Sequence, residues 1–350
     1  MASTILQNKI ASIASLRAWK LAIAGPSVYW YFPVFYALMT TQPNSSPIGL
    51  ALLFVVLMVS ASWGFLLNDL FDREADAKSH RADASHGHGL SKRSMLILIL
   101  STAALSWAIV FLIGSSPIFK GVLAINYLIA IFYSMPPIKL KIRKFWGFLA
   151  NSLMERPLPI LVLLSYLGYY NIMTIILPIM MELTWSVFKH QAADVKEDIA
   201  VHVTTFATYL GEELSSKIVR FVLNPLSVVT LLTLVVLSWY NIASLRTLLA
   251  IGFALILFGI VTAYIAERRG IITTYITPTD PPYIMFLNLS YRFILLPIMA
   301  YGLLVLRPNY FPLLVLLIIT LGFHAYAYAK IGKRILSRKQ PKQISSAESF

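Results

Sequence analysis

Long apolar runs separated by short polar breaks set the pattern of this chain. Ten stretches are long and apolar enough, or nearly so, to cross a bilayer: 16–39, 49–67, 95–113, 121–133, 145–167, 172–188, 218–240, 248–266, 284–306 and 311–329. A crossing helix needs about 20 mostly apolar residues, and the fourth run reaches that only with its flanks. Backbone polar groups inside a bilayer have no water to bond. Apolar runs of this length therefore predict helices and not a closed barrel. The expected fold class is an all-α integral membrane protein.

Composition narrows the function classes. The chain is 58% hydrophobic and 13% charged, with a mean hydropathy of +0.74. Soluble domains carry about 25% charged residues, so a soluble enzyme is excluded and the lipid bilayer is the first partner. There is no cysteine. Zinc–thiolate sites, iron–sulfur clusters, disulfides and cysteine nucleophiles are excluded with it.

The net charge of +14 would point to nucleic acid in a soluble protein. Here its placement points elsewhere, to an inside excess of Lys and Arg, and no nucleic-acid partner is expected. With the N-terminus in the cytoplasm and the spans alternating, 24 of the 29 Lys and Arg residues fall on the inside. This predicts both termini in the cytoplasm and an even number of spans. Residues 1–15 read as an amphipathic lead-in on that face, because the first apolar run is too long for a signal-peptide core. Residues 16–330 read as one transmembrane domain, and 331–350 as a basic cytoplasmic tail near anionic lipid. The expected location is the cell membrane, or an organelle membrane in a eukaryote.

The acids are not scattered. Five of 15 lie between Asp69 and Asp83, and three between Asp194 and Asp198. In Asn68-Asp69-Leu70-Phe71-Asp72-Arg73-Glu74-Ala75-Asp76, the Asp residues recur at i, i+3 and i+7, one face of a helix. In Asp194-Val195-Lys196-Glu197-Asp198 they recur at i and i+4. Like charges stacked on one face repel, more so near a low-dielectric boundary. Solvated loop charge would not repeat this spacing twice at apolar helix ends. Two facing carboxylate clusters that hold a divalent cation would, and oxygen-only ligands suit Mg²⁺ shared with substrate phosphates. Lys78, Arg81 and Lys189 lie close enough in sequence to clamp a diphosphate.

These segments resemble the UbiA superfamily of intramembrane prenyltransferases. The first is similar to that family's N-D-x-x-D-x-x-x-D motif at each fixed position, and the second to its D-x-x-x-D motif. Tyr133-Ser134-Met135-Pro136-Pro137-Ile138-Lys139-Leu140-Lys141 resembles the family's Tyr-Ser-x-Pro-Pro-x-x-x-Lys segment. Thr205-Phe206-Ala207-Thr208-Tyr209-Leu210-Gly211 resembles the stretch that follows the second motif.

The resemblance implies a bundle of nine core transmembrane helices, so that one of ten spans here is an appendage or an over-split. It implies Mg²⁺ and a polyprenyl diphosphate donor, with transfer to a small lipophilic or aromatic acceptor. Asn68, Asp69, Asp72 and Asp76 would hold one side of the metal–diphosphate, and Asp194 and Asp198 the other. Trp63, Tyr133 and Arg292 are candidates for the cavity. Two departures stand out. The Arg-Pro that often follows the first motif is absent, and Gln191 and Glu197 replace an Asp and a Gly of the second.

Three further ionisable positions, Glu155-Arg156, Glu182 and His324, fall inside apolar runs, where charge is expensive and points to function or to pairing. Two other activities share parts of the pattern. A membrane terpene cyclase would use the same metal motifs. A cation transporter would place its acids near the midplane and not at helix ends.

Overall fold

The computed structural model describes residues 27–43, 45–78, 90–114, 116–200, 203–270 and 281–338, and within these not the side chains of 74–78, 327, 328, 330 or 331–338. Residues 1–26 and 339–350, which hold the expected lead-in and most of the tail, lie outside it. Every regular element among the described residues is helical.

Eight helical segments have the length and composition to cross a membrane: Pro47–Arg73, Lys92–Ile113, Pro117–Ser134, Lys144–Tyr166, Glu212–Asn241, Ala243–Arg268, Pro282–Leu306 and Pro308–Tyr326. The protein is thus a multi-pass integral membrane protein. The first expected span is described only from α1 (Val28–Thr40) onward. The sixth departs from its expected form. Instead of one span over 172–188 there is a short α7 (Met173–Thr184), then a break, then α8 (Val187–Ala193). The break has a polar cause. Ser186 accepts the N–H of Phe188, and Glu182 Oε1 accepts the N–H of Val187 at 2.9 Å, so two orphan donors of a new helix start are satisfied in place. The last helix, Phe311–Arg338, continues past residue 330, so the expected tail begins as helix.

The burial pattern sorts the helices. α1 is buried on every side from Val28 to Leu38, as an apolar helix at the centre of a bundle must be. In Pro47–Arg73 and Lys144–Tyr166, 56% and 61% of the most apolar window is buried, against 17% in Lys92–Ile113. The first two are therefore interior and the third peripheral. Its exposed Phe111 and Leu112 suit contact with lipid tails.

Proline shapes several of these helices. α5 (Lys144–Glu155) ends where Arg156 leaves helical geometry, and α6 (Pro157–Tyr166) starts again at once. Pro159 cannot donate to the Glu155 carbonyl, and Trp30 Nε1 of α1 supplies the missing donor at 3.0 Å. Two π-helical turns, Val219–Leu223 and Tyr291–Leu295, each stand just before a proline, Pro225 and Pro297. Each proline leaves the carbonyl four residues back without its N–H, and a widened turn absorbs the misfit. Both turns carry the same Arg-Phe-x-Leu-x-Pro sequence, starting at Arg220 and at Arg292.

Candidate active site

The first acidic motif closes the C-terminal end of α2 (Pro47–Lys78), one of the interior helices. Asn68 and Asp72, four residues apart, share a face. Lys141 joins them from outside the helix. Its Nζ donates to Asn68 Oδ1 at 3.0 Å and pairs closely with Asp72. Ser134 Oγ donates to the same Asn68 oxygen at 3.3 Å, and Lys139 Nζ lies 3.9 Å from Asp72. Two ammonium groups therefore offset the negative helix end, as stacked carboxylates require.

Both lysines come from the turn that follows α4 (Pro117–Ser134). The Pro136–Pro137 bond is cis, and Lys139 sits in left-handed backbone at φ 41°, a conformation uncommon outside glycine. Arg143 ties the turn together by donating to the carbonyls of Ile138 and Pro137. Gly147 in the first turns of α5 lets it pack closely. A Cβ there would stand 2.6 Å from the Leu140 carbonyl oxygen and 2.9 Å from that of Lys141. The glycine is thus a spacing requirement for the lysine turn.

The second motif begins at Asp194, which caps the C-terminus of α8, and runs on into α9 (Val195–Ala200). Asp194 is exposed and Asp198 is buried at 7%. A small aromatic core lies beneath it. Phe148 of α5 stacks on Phe206 with ring centres 5.6 Å apart, and both meet Phe188 of α8. This core links the second motif's segment to the helix that carries the lysine turn.

A cavity of about 280 Å³ opens beside the first motif. α2 lines it with Ser60, Gly64 and Asn68, a stripe that continues at the same four-residue step to Asp72. α4 contributes Asn126, Ala130 and Tyr133. α5 contributes Asn151, Met154 and Glu155. The spacing on each helix follows one face. Glu155 is the charged member of the lining. Its partner Arg156 is shared: Nη1 donates to Glu182 Oε2 at 2.6 Å, and Nη2 lies 3.1 Å from Glu155 Oε2. The guanidinium also lies 5.0 Å from the Tyr29 ring centre.

The structure distributes the expected site residues unequally. Asn68, Asp69 and Asp72 share the end of α2, and Tyr133 lines the cavity. Asp76 and Lys78 are on that helix, but their side chains lie outside the described residues, as does Arg81. Trp63 is not among the lining residues. It packs behind the wall, 4.7 Å from the Tyr127 ring. Arg292 is also placed apart from the cavity, donating to the Tyr29 hydroxyl at 3.1 Å. Lys189 is 2% exposed and donates to Ser227 Oγ at 2.7 Å, which sets it into the helix packing. Lys141 and Lys139 stand on the motif, both pairing with Asp72. Their signal was their place in the Tyr-Ser-x-Pro-Pro segment, not their distance in sequence from an Asp.

The donor set fits a hard divalent ion. Asn68, Asp69 and Asp72 offer carboxylate and carboxamide oxygens, and the cluster already draws an ammonium. Among the described residues no three acidic or imidazole groups meet closely enough to hold a metal alone. Mg²⁺ does not need such a cage, since it takes one or two carboxylates together with substrate phosphates and water.

An all-helical membrane bundle with an acidic, lysine-bridged helix end over a polar cavity defines the class of protein. The chain matches the UbiA prenyltransferase family over residues 30–289 and belongs to that family. Its fold is shared by solved structures of a UbiA homologue from Archaeoglobus fulgidus. With the form bound to GPP and Mg²⁺ the TM-score is 0.53 at 19% identity, covering 82% of this chain and 99% of that one. With the form bound to DMAPP and Mg²⁺ it is 0.51, again at 19% identity, covering 82% and 98%. Among curated proteins, none matches the chain.

Proposed function

We propose that this prenyltransferase moves a polyprenyl group from a prenyl diphosphate to a small lipophilic or aromatic acceptor, with Mg²⁺ and release of diphosphate. One observation carries the reading: the Asn68–Asp72–Lys141 constellation stands at the end of the same helical stripe that lines the cavity. Diphosphate and reacting carbon can then sit at adjacent positions of one site.

Asn68, Asp69, Asp72 and Asp76 would hold Mg²⁺ on one side of the diphosphate, and Asp194 and Asp198 on the other. When bound, the ion neutralises diphosphate charge and makes it a better leaving group. Lys141 and Lys139 supply further positive charge where the bridging oxygen leaves. Lys78 and Arg81 extend the clamp, and Lys189 acts through packing. The cavity shields the allylic centre from water, and the Tyr133 ring offers it a polarisable face. Helix alternation and the inside excess of Lys and Arg support a cytoplasmic location for both motifs and both termini, with 16–330 as the transmembrane unit.

Transfer is favoured over cyclisation by the cavity itself. A cyclase folds an apolar chain and needs apolar walls, whereas three amides, two hydroxyls and a carboxylate are among the groups that line this space. The test uses purified protein, Mg²⁺ and radiolabelled prenyl diphosphates of several lengths, with and without aromatic acceptors. An acceptor-dependent labelled product is expected. A labelled hydrocarbon formed without acceptor would establish the cyclase instead. Asp72→Ala and Asp194→Ala should each abolish Mg²⁺-dependent turnover while the protein still elutes as a folded species. Full activity in either variant would defeat the metal assignment.

A further inference from the structure

The cavity carries more polarity than binding a prenyl chain requires. Prenyl groups are hydrocarbon, yet Glu155, Asn126 and Asn151 face the space beside Tyr133. Burial of such groups is unfavourable unless something bonds them. Asn126 is 8% exposed, and its carboxamide oxygen has no hydrogen-bond partner among the described residues. Glu155 keeps a quarter of its side-chain surface open while its neighbour Arg156 is 2% exposed. The shorter contact of Arg156 is to Glu182, which also caps α8. Glu155 is therefore the second carboxylate on one guanidinium, and the one that reaches the cavity.

We propose that Glu155 and Asn126 form the acceptor end of the cavity, that they select a neutral hydroxyl-bearing ring, and that Glu155 is a catalytic base for its hydroxyl proton. The inference rests on the prenyl-transfer reading above and extends it to the acceptor. The unpaired Asn126 oxygen and the Glu155 carboxylate both accept hydrogen bonds, so a ligand that donates them satisfies both. Among the described residues neither lysine nor arginine lines the cavity, and Lys141 stands at its Asn68 end, so an acidic acceptor beside Glu155 would meet that charge with no described cation lining the space around it. Phe65, Met154 and Ala130 supply the apolar surface for a ring.

In the step, the bond between prenyl C1 and the diphosphate oxygen breaks and its electron pair leaves with the diphosphate. The acceptor's oxygen, or the ring carbon conjugated to it, forms the new bond to C1. The hydroxyl O–H bond breaks, its proton passes to the Glu155 carboxylate, and its electron pair stays with the acceptor. Where carbon is the attacking atom, the C–H bond at that carbon then breaks, its electron pair restores the aromatic ring, and a proton returns to the oxygen. No oxidant or reductant is needed.

The experiment uses the purified full-length chain with Mg²⁺ and radiolabelled geranyl diphosphate, offered hydroquinone or its carboxylated counterpart 2,5-dihydroxybenzoate. Donor binding is measured separately from transfer. The wild type should use hydroquinone at least tenfold better. Glu155→Gln should lower kcat on hydroquinone about a hundredfold, the scale of a lost general base, with Mg²⁺-dependent donor binding unchanged. It should also narrow the discrimination against the carboxylated ring. Glu155→Asp should restore part of the rate. The glutamine variant should fold, because Arg156 keeps Glu182. Preference for the carboxylated acceptor, an undiminished rate in Glu155→Gln, or donor binding without transfer to either ring would each overturn the proposal. No Mg²⁺-dependent donor binding by the wild type would instead sink the prenyl-transfer reading beneath it.

Discussion

At Lys141 one side chain meets two demands. It neutralises Asp72 and holds Asn68, and it carries positive charge to the place where a diphosphate would sit. Lys141→Met keeps most of the side chain's bulk and removes the charge. Leaving-group stabilisation of this kind is worth about 2.7–4 kcal/mol for a single donor, or 10²–10³ in kcat. Steady-state kinetics should therefore show a loss of that size, with a smaller change in acceptor KM. An unchanged kcat would remove Lys141 from the clamp. The Asp residues were legible in the sequence because their i, i+3, i+7 spacing is a geometric statement about one helix. Lys141 was less so, since its approach to Asp72 depends on a turn that reverses the chain 69 residues later. Glu155 and Glu182 were visible as costly charges. The pairing of Glu155 with its neighbour Arg156 was open to the sequence as well, whereas the bond from Arg156 to Glu182 in particular was not, because pairing across helices leaves no periodic trace.

Elements show where hydropathy stops being informative. The run at 145–167 has the length of one span, and the chain does fill one there, yet it is built from two helices meeting at Arg156. The run at 172–188 is similarly apolar, and polar capping at Ser186 and Glu182 divides it. Length and apolarity cannot register a break that hydrogen bonds make good, so both runs read as single spans. The junctions meet at Arg156, which links α5, α6 and α7. Removing one partner of a buried ion pair leaves uncompensated charge and costs about 3–5 kcal/mol. Arg156→Met, which strands two carboxylates, should lower the apparent melting temperature in detergent by far more than Glu155→Gln, which strands none. Equal shifts would mean that the triad does not hold the junction. The lysine turn rests on α5 in another way. In Gly147→Ala the added methyl meets backbone carbonyls that cannot rotate aside as a side chain would. Transfer activity should fall while overall melting changes little, since the displaced atoms belong to the turn and not to the bundle core. A Gly147→Ala enzyme with wild-type kcat would show that the turn tolerates the shift.

For the whole molecule, the two acidic motifs can serve one reaction only if they lie on one side of the membrane. The path of the chain supports this. From Asp72, Lys92–Ile113 leads away and Pro117–Ser134 returns to the lysines that contact that same Asp. The segment Lys144–Tyr166 leads away again, and α7 brings the chain back to Asp194. Glu212–Asn241 then ends on the far side, and Ala243–Arg268 returns with Arg268 and Arg269 at its end. Basic residues gather at the near side, the distribution that the positive-inside rule associates with a cytoplasmic face. The absence of cysteine makes this directly measurable, because an introduced thiol has no native competitor. Asn241 and Arg269 are both exposed, at opposite ends of one hairpin. In intact cells or right-side-out vesicles, a membrane-impermeant maleimide should label Asn241→Cys and spare Arg269→Cys. Inverted vesicles should reverse the pattern, with Glu197→Cys behaving like Arg269→Cys. If Glu197→Cys instead labelled together with Asn241→Cys, the second motif would face away from the lysine turn. A single diphosphate could not then bridge the two acidic clusters, and catalysis would have to rest on the α2 motif alone.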